Sequence, residues 1–147
     1  MEGVVSPYLI AIVAGWTVSQ LIKSIFSVIK HRHMSFRSHL FISGGMPSSH
    51  SATVMAVWTT ILLLDGVNSG LFGLASVIAL IVLYDAVKVR RSSGEQGVAL
   101  VALIHEQKSK VPLPRVAMGH TPSEIIAGGL LGIAIGAVTV WLTTILL

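Results

Sequence analysis

Four stretches of this chain contain no Asp, Glu, Lys or Arg: residues 3–22, 38–64, 66–84 and 125–147. A helix needs ~20 apolar residues to cross a hydrocarbon core of ~30 Å. In lipid the backbone must satisfy its own hydrogen bonds, so segments of this kind fold as helices. The pattern predicts an all-α integral membrane bundle of about four spanning helices. The second span is the short one. Residues 38–47 read as a loop, and a helix over 48–64 covers roughly 25 Å. Spans and loops use nearly every residue, so residues 1–147 are expected to form a single membrane-embedded domain.

Composition agrees. Hydrophobic residues make up 53% of the chain and charged residues 11%, against ~25% charged in soluble domains, and the mean hydropathy is +0.83. Only Glu2 precedes the first apolar run, which lacks the basic n-region of a secretory signal and reads as a retained span. With no cysteine, disulfides, thiolate nucleophiles and cysteine metal sites are excluded.

All ten Lys and Arg residues lie in 23–37 and 85–124, which reversal of the chain at each span brings to one membrane face. The other face receives Glu2 and Asp65. The positive-inside rule then puts the basic loops in the cytosol and the termini outside, as expected of a cell-membrane protein. The net charge of +4 is an orientation signal, and no nucleic-acid partner is expected.

Local signals divide the chain further. Lys23, near the inner end of the first span, can snorkel to the interface. Asp65-Gly66-Val67-Asn68-Ser69-Gly70 is a turn joining spans two and three as a hairpin. Span three is expected to end at Tyr84, and Ser92-Ser93-Gly94 to separate it from a short interfacial helix over 95–107. Thr121 as N-cap, Pro122 at the first helical position and Glu124 three residues after the cap mark the start of span four. Gly128, Gly132 and Gly136 form a smooth stripe for close helix approach, in this chain or in a second copy.

Three groups of residues carry possible chemistry. In Pro47-Ser48-Ser49-His50 a helix N-terminus offers unpaired N–H groups suited to phosphate, with two hydroxyls and an imidazole beside them. An ordinary serine cap with an interfacial histidine explains the same residues. His120 precedes the cap of span four, and Glu124 could accept its N–H and fix the free nitrogen; a capping box alone also accounts for Glu124. Lys30, Arg37, Arg90, Arg91 and Arg115 suit stabilisation of a transferring phosphoryl group, or serve as positive-inside anchors. Asp85, at the hydrocarbon boundary, is expected to pair with Lys88, Arg90 or Arg91, with metal ligation a distant second.

Taken together these residues resemble the type 2 phosphatidic acid phosphatase superfamily, which includes bacterial acid phosphatases and vanadium haloperoxidases. The nearest likeness is to its divergent branch of small membrane proteins. It covers nearly the whole chain, through Met46-Pro47-Ser48-Ser49-His50-Ser51-Ala52, Asp85-Ala86 with Val89-Arg90-Arg91, and Gly119-His120-Thr121-Pro122. The superfamily motifs are Lys-x6-Arg-Pro, Pro-Ser-Gly-His and Ser-Arg-x5-His-x3-Asp. Lys30 and Arg37 fit the first, with Ser38 for its proline. Pro47, Ser48 and His50 fit the second, with Ser49 for glycine. His120 and Glu124 fit the end of the third, with Glu for Asp, while Pro114 stands where its arginine belongs. Arg115, or the Arg90-Arg91 pair, supplies that charge.

The resemblance implies a lipid phosphate phosphatase that needs no metal or other cofactor. His120 would be the nucleophile forming a phosphohistidine, Glu124 its orienter and His50 the general acid. Lys30, Arg37, Ser48 and Ser49 would hold phosphate. Candidate substrates are phosphatidylglycerophosphate, phosphatidate or a polyprenyl diphosphate. Superfamily membrane enzymes usually have six spans, so four suggest a homodimer completing the pocket. The alternative from another class is a non-enzymatic scaffold or anionic-lipid binder using the same cations.

Overall fold

The computed structural model describes residues 6–30 and 45–146. The helices are α1 (Pro7–Lys30), α2 (Ser49–Asp65), α3 (Gly70–Tyr84), α4 (Arg90–Glu106) and α5 (Pro122–Leu146), with a π-helical turn at Asp85–Val89 between α3 and α4. Among the described residues there is no strand. Three helices are long and apolar enough to cross a membrane: Pro7–Ile29, Gly70–Glu106 and Pro122–Ile145. The remaining one, α2, is shorter at 17 residues, as its sequence led us to expect.

The short helix α2 is the centre of the bundle, packed against α1, α3 and α5. Small residues let this happen. A methyl group added at Gly128, Gly132 or Gly136 of α5 would collide with the carbonyl oxygens of Ser48, Ala52 and Ala56 respectively. The glycine stripe therefore has its partner inside this chain. From the other side, a Cβ at Gly15 would lie 3.0 Å from the Thr53 Cα and 3.2 Å from the Ala56 Cβ. Helices in lipid associate by such backbone-close packing. Buried hydroxyls turn back onto their own helices: Ser19 donates to Trp16 O, Thr60 to Ala56 O and Thr139 to Ile135 O. Large apolar side chains such as Leu80, Leu130 and Trp141 look outward, as suits a lipid-facing surface.

The hairpin between α2 and α3 forms where the turn was expected. Gly66 has φ +81, a left-handed conformation glycine takes freely, and its N–H closes α2 on Leu62 O. Ser69 caps α3, accepting from the Phe72 N–H at 3.1 Å. Two further bonds tie the hairpin in: Trp58 Nε1 donates to Ser76 Oγ at 2.9 Å, and Tyr8 Oη to Asp65 Oδ2 at 2.6 Å.

One boundary differs from expectation. The third span does not end with α3 at Tyr84, and Ser92-Ser93-Gly94 does not break the chain; through the π turn and α4, helix runs on from Gly70 to Glu106 over 37 residues. The short helix expected at 95–107 is present as the far part of α4. Serine and glycine cost only ~0.5–1 kcal/mol each in a helix interior, and Gly94 has a packing role that offsets this. A Cβ there would lie 2.9 Å from both Ala117 O and the Met118 Cα. Residues 116–119 return along α4, with Val116 at Gly97 and Gly119 against the Arg90–Arg91 backbone. This return delivers His120 to the base of the bundle.

Candidate active site

The site forms where the N-termini of α2 and α5 open side by side. Ser48 caps α2: its Oγ accepts from the Ser51 N–H at 3.4 Å and from Ser51 Oγ at 3.0 Å. The Ser48 N–H donates to Glu124 O at 3.1 Å, joining the first turns of the two helices. Two helix dipoles thus present their positive ends at one mouth. Ser49 is buried, and its Oγ donates to Gln20 Oε1 on α1 at 3.1 Å. His50 follows, exposed on the first turn.

His120 is the buried member, 6% exposed. Its backbone N–H donates to Ala86 O at 3.2 Å, a carbonyl within the π turn. In that turn the Arg90 N–H reaches back five residues to Asp85 O. π turns of this kind recur at functional sites. The His120 Nδ1 lies 2.9 Å from Glu124 Oε2, and the same oxygen accepts from the Thr121 N–H at 3.1 Å. The Thr121 Oγ1 accepts from the Glu124 N–H at 3.4 Å. Glu124 therefore serves both readings open in the sequence. It closes a capping box and it holds the imidazole. Because a carboxylate can only accept, the proton between them belongs on Nδ1, and in the neutral ring Nε2 then keeps the lone pair.

The cations separate into groups. Arg90 Nε donates to Asp85 Oδ2 at 2.6 Å, which selects among the three partners expected for Asp85. The charge of Arg90 acts on His50, as do His120, Lys23 and Asp85. Arg91 Nε donates instead to Glu95 Oε1 at 3.1 Å, one turn along α4. Arg115 is exposed and adjoins Val116, which packs near Gly97, about two helical turns beyond Arg90. Of Arg90, Arg91 and Arg115, Arg90 is the one whose charge acts on His50. Lys30 ends α1, and its side chain, like the whole of Arg37, lies outside the described residues.

The sequence reading weighed Lys23 only as an interfacial anchor. It lies on the inward face of α1, electrostatically coupled to both Glu124 and His50. The available signal was the small-residue register Ala11, Gly15, Ser19, all buried: a step of four more reaches Lys23. Among the described residues no three His, Asp or Glu side chains gather as a metal cluster.

Fold and site define a class, an integral membrane protein whose helical bundle bears a histidine-lined polar end. A model of the Divergent PAP2 family matches residues 4–135, and the chain belongs to that family. It is 34% identical over 140 residues to YuiD, an uncharacterised membrane protein of Bacillus subtilis (strain 168), the match covering 85% of this chain and 88% of that one. No solved structure matches it.

Proposed function

We propose that the protein is a membrane lipid phosphate phosphatase that hydrolyses a phosphomonoester or diphosphate at the headgroup of a lipid. One observation carries the reading. A buried imidazole is held through Nδ1 by Glu124, with its other nitrogen available, at a mouth shared with a second histidine. A capping box accounts for Glu124 but gives no reason to bury His120. A scaffold that binds anionic lipid by charge alone does not need that pair.

The resemblance supplies the steps, and the placement of the two histidines supports them. Nε2 of His120 attacks phosphorus and the bond from phosphorus to the lipid oxygen breaks. His50 delivers its proton to the departing alkoxide or phosphate, forming the free lipid product. His50, now neutral, takes a proton from water as the water oxygen attacks the phosphohistidine. The P–N bond breaks, inorganic phosphate leaves and His120 is restored. Arg90 and the N–H groups of the two helix ends stabilise charge on the transferring oxygens; Lys30, Arg37, Ser49, Arg91 and Arg115 are assigned to phosphate binding on the resemblance alone. The short length of α2, 17 residues, supports a first turn near headgroup depth, where a lipid phosphate resides. The basic loops favour the cytosolic side for this site.

The experiment is phosphate release from a panel of lipid phosphates by the purified full chain in detergent with EDTA present. Wild type should release phosphate and His120→Asn should not, with both proteins folded. Equal release by the two proteins sinks the assignment of the nucleophile.

A further inference from the structure

We propose that Lys23 grips the substrate phosphate, its ammonium reaching from α1 to the mouth shared by α2 and α5. The proposal takes the identity of the anion from the phosphatase reading; the position of the lysine is independent of it.

Register comes first. Ala11, Gly15 and Ser19 are buried at every fourth position of α1, and Gly15 lies against Thr53 and Ala56 of α2. This face of α1 looks into the bundle. Gln20 marks the level of the α2 N-terminus by accepting from Ser49 Oγ at 3.1 Å. Lys23 stands about one turn farther along, where α2 has ended and Gly45 begins the approach to its cap. A Cβ at Gly45 would lie 3.2 Å from the Lys23 Cε. Gly45 also has φ +90, so a larger residue would be both strained and against the lysine stem.

Chemistry comes second. A lysine whose only task is anchoring near a helix end extends its ammonium outward to the headgroups. Lys23 instead is partly buried, and its charge acts on Glu124 and on His50. A phosphate seated between the histidines would meet Lys23 from α1 and Arg90, whose charge also acts on His50, from the far side of the π turn.

The test is binding of inorganic phosphate to the purified full chain in detergent at constant ionic strength, read by calorimetry. Lys23→Met should weaken binding about ten-fold or more, as loss of a charge-assisted hydrogen bond implies. Lys23→Arg should restore most of the affinity, and Lys110→Met, at an exposed lysine away from the mouth, should change it less than about three-fold. If Lys23→Met does not fold, Lys23→Gln is read against the same thresholds. A folded variant without the lysine that binds phosphate as wild type does overturns the proposal, as does wild type that binds no phosphate. Wild type that binds phosphate but releases none from any lipid phosphate ends the hydrolase reading and leaves the Lys23 assignment to the binding data.

Discussion

The backbone N–H of Ser48 donates to the carbonyl oxygen of Glu124 at 3.1 Å. This bond crosses between two helices at their first turns. Ser48 stands two residues before His50, and Glu124 holds His120. A single main-chain contact therefore fixes the relative height of two segments more than seventy residues apart in sequence. The close seating of Gly128 on Ser48 makes the contact attainable. The geometry of the site thus depends on packing between α2 and α5 as well as on its polar residues.

Glu124→Gln separates the two tasks of the carboxylate. The amide oxygen can still accept from Thr121, so the cap should survive, and loss of stability should stay within about 1 kcal/mol. The same oxygen can still accept from His120 Nδ1–H, but the imidazole loses the negative charge that would stabilise its cationic, phosphorylated form. Phosphate release should fall by about 10² or more, measured beside a melting curve of the same preparation. An unaltered rate would reduce Glu124 to a capping residue.

The glycine stripe has an equally sharp expectation. At Gly132 a methyl would strike Ala52 O and lie 2.9 Å from the Met55 Cβ, whereas at Gly129 it would meet only the Met55 Cγ at 3.7 Å. Gly132→Ala should cost about 1–3 kcal/mol through overpacking, and Gly129→Ala should be close to neutral. Unfolding in mixed micelles compares the two. Equal stability of the variants would show that α2 and α5 do not meet on this face.

Much of this architecture was legible beforehand, and the reasons are specific. The hairpin turn at Gly66 and the capping box of Thr121 and Glu124 depend on local backbone chemistry, which a sequence states directly. The end of span three did not, because Ser92 and Gly94 weaken a helix only slightly and their fate was decided by residues 116–119 lying against them. The direction in which Lys23 faces was not legible for another reason. A membrane helix is apolar all round, so hydropathy reports that it spans without reporting which side faces inward. Only the small residues Ala11, Gly15 and Ser19 carried that direction. The partner of Asp85, Arg90 rather than Lys88 or Arg91, likewise required the π turn, whose five-residue register brings the two together.

That pairing gives a third expectation. An exposed ion pair contributes at most about 1 kcal/mol, so Asp85→Asn should leave the melting temperature nearly unchanged. It should release Arg90 from its fixed direction, and KM for a lipid phosphate should rise. Arg90→Met should raise it further, while Arg91→Met and Arg115→Met should have smaller effects. Steady-state kinetics on the four variants ranks them. The largest effect at Arg115 would reassign the phosphate-binding arginine to the return segment.

His50 and His120 are asked to do different work, and a change of leaving group tells them apart. A lipid alkoxide is a poor leaving group and needs a proton from His50, while an aryl phosphate departs without one. With an aryl phosphate, His50→Ala should therefore retain the first step. It should still lack a base for the attacking water, so the phosphorylated enzyme should accumulate. Loss of general acid–base assistance lowers a rate by about 10²–10⁴, enough for radiolabelled phosphate to be recovered on the protein as an acid-labile, base-stable adduct. His120→Asn should carry no label under any condition. If label appears on His120→Asn, or if His50→Ala turns over the lipid and aryl substrates with equal loss and no adduct, then the division of labour between the two imidazoles is not the one the resemblance implies.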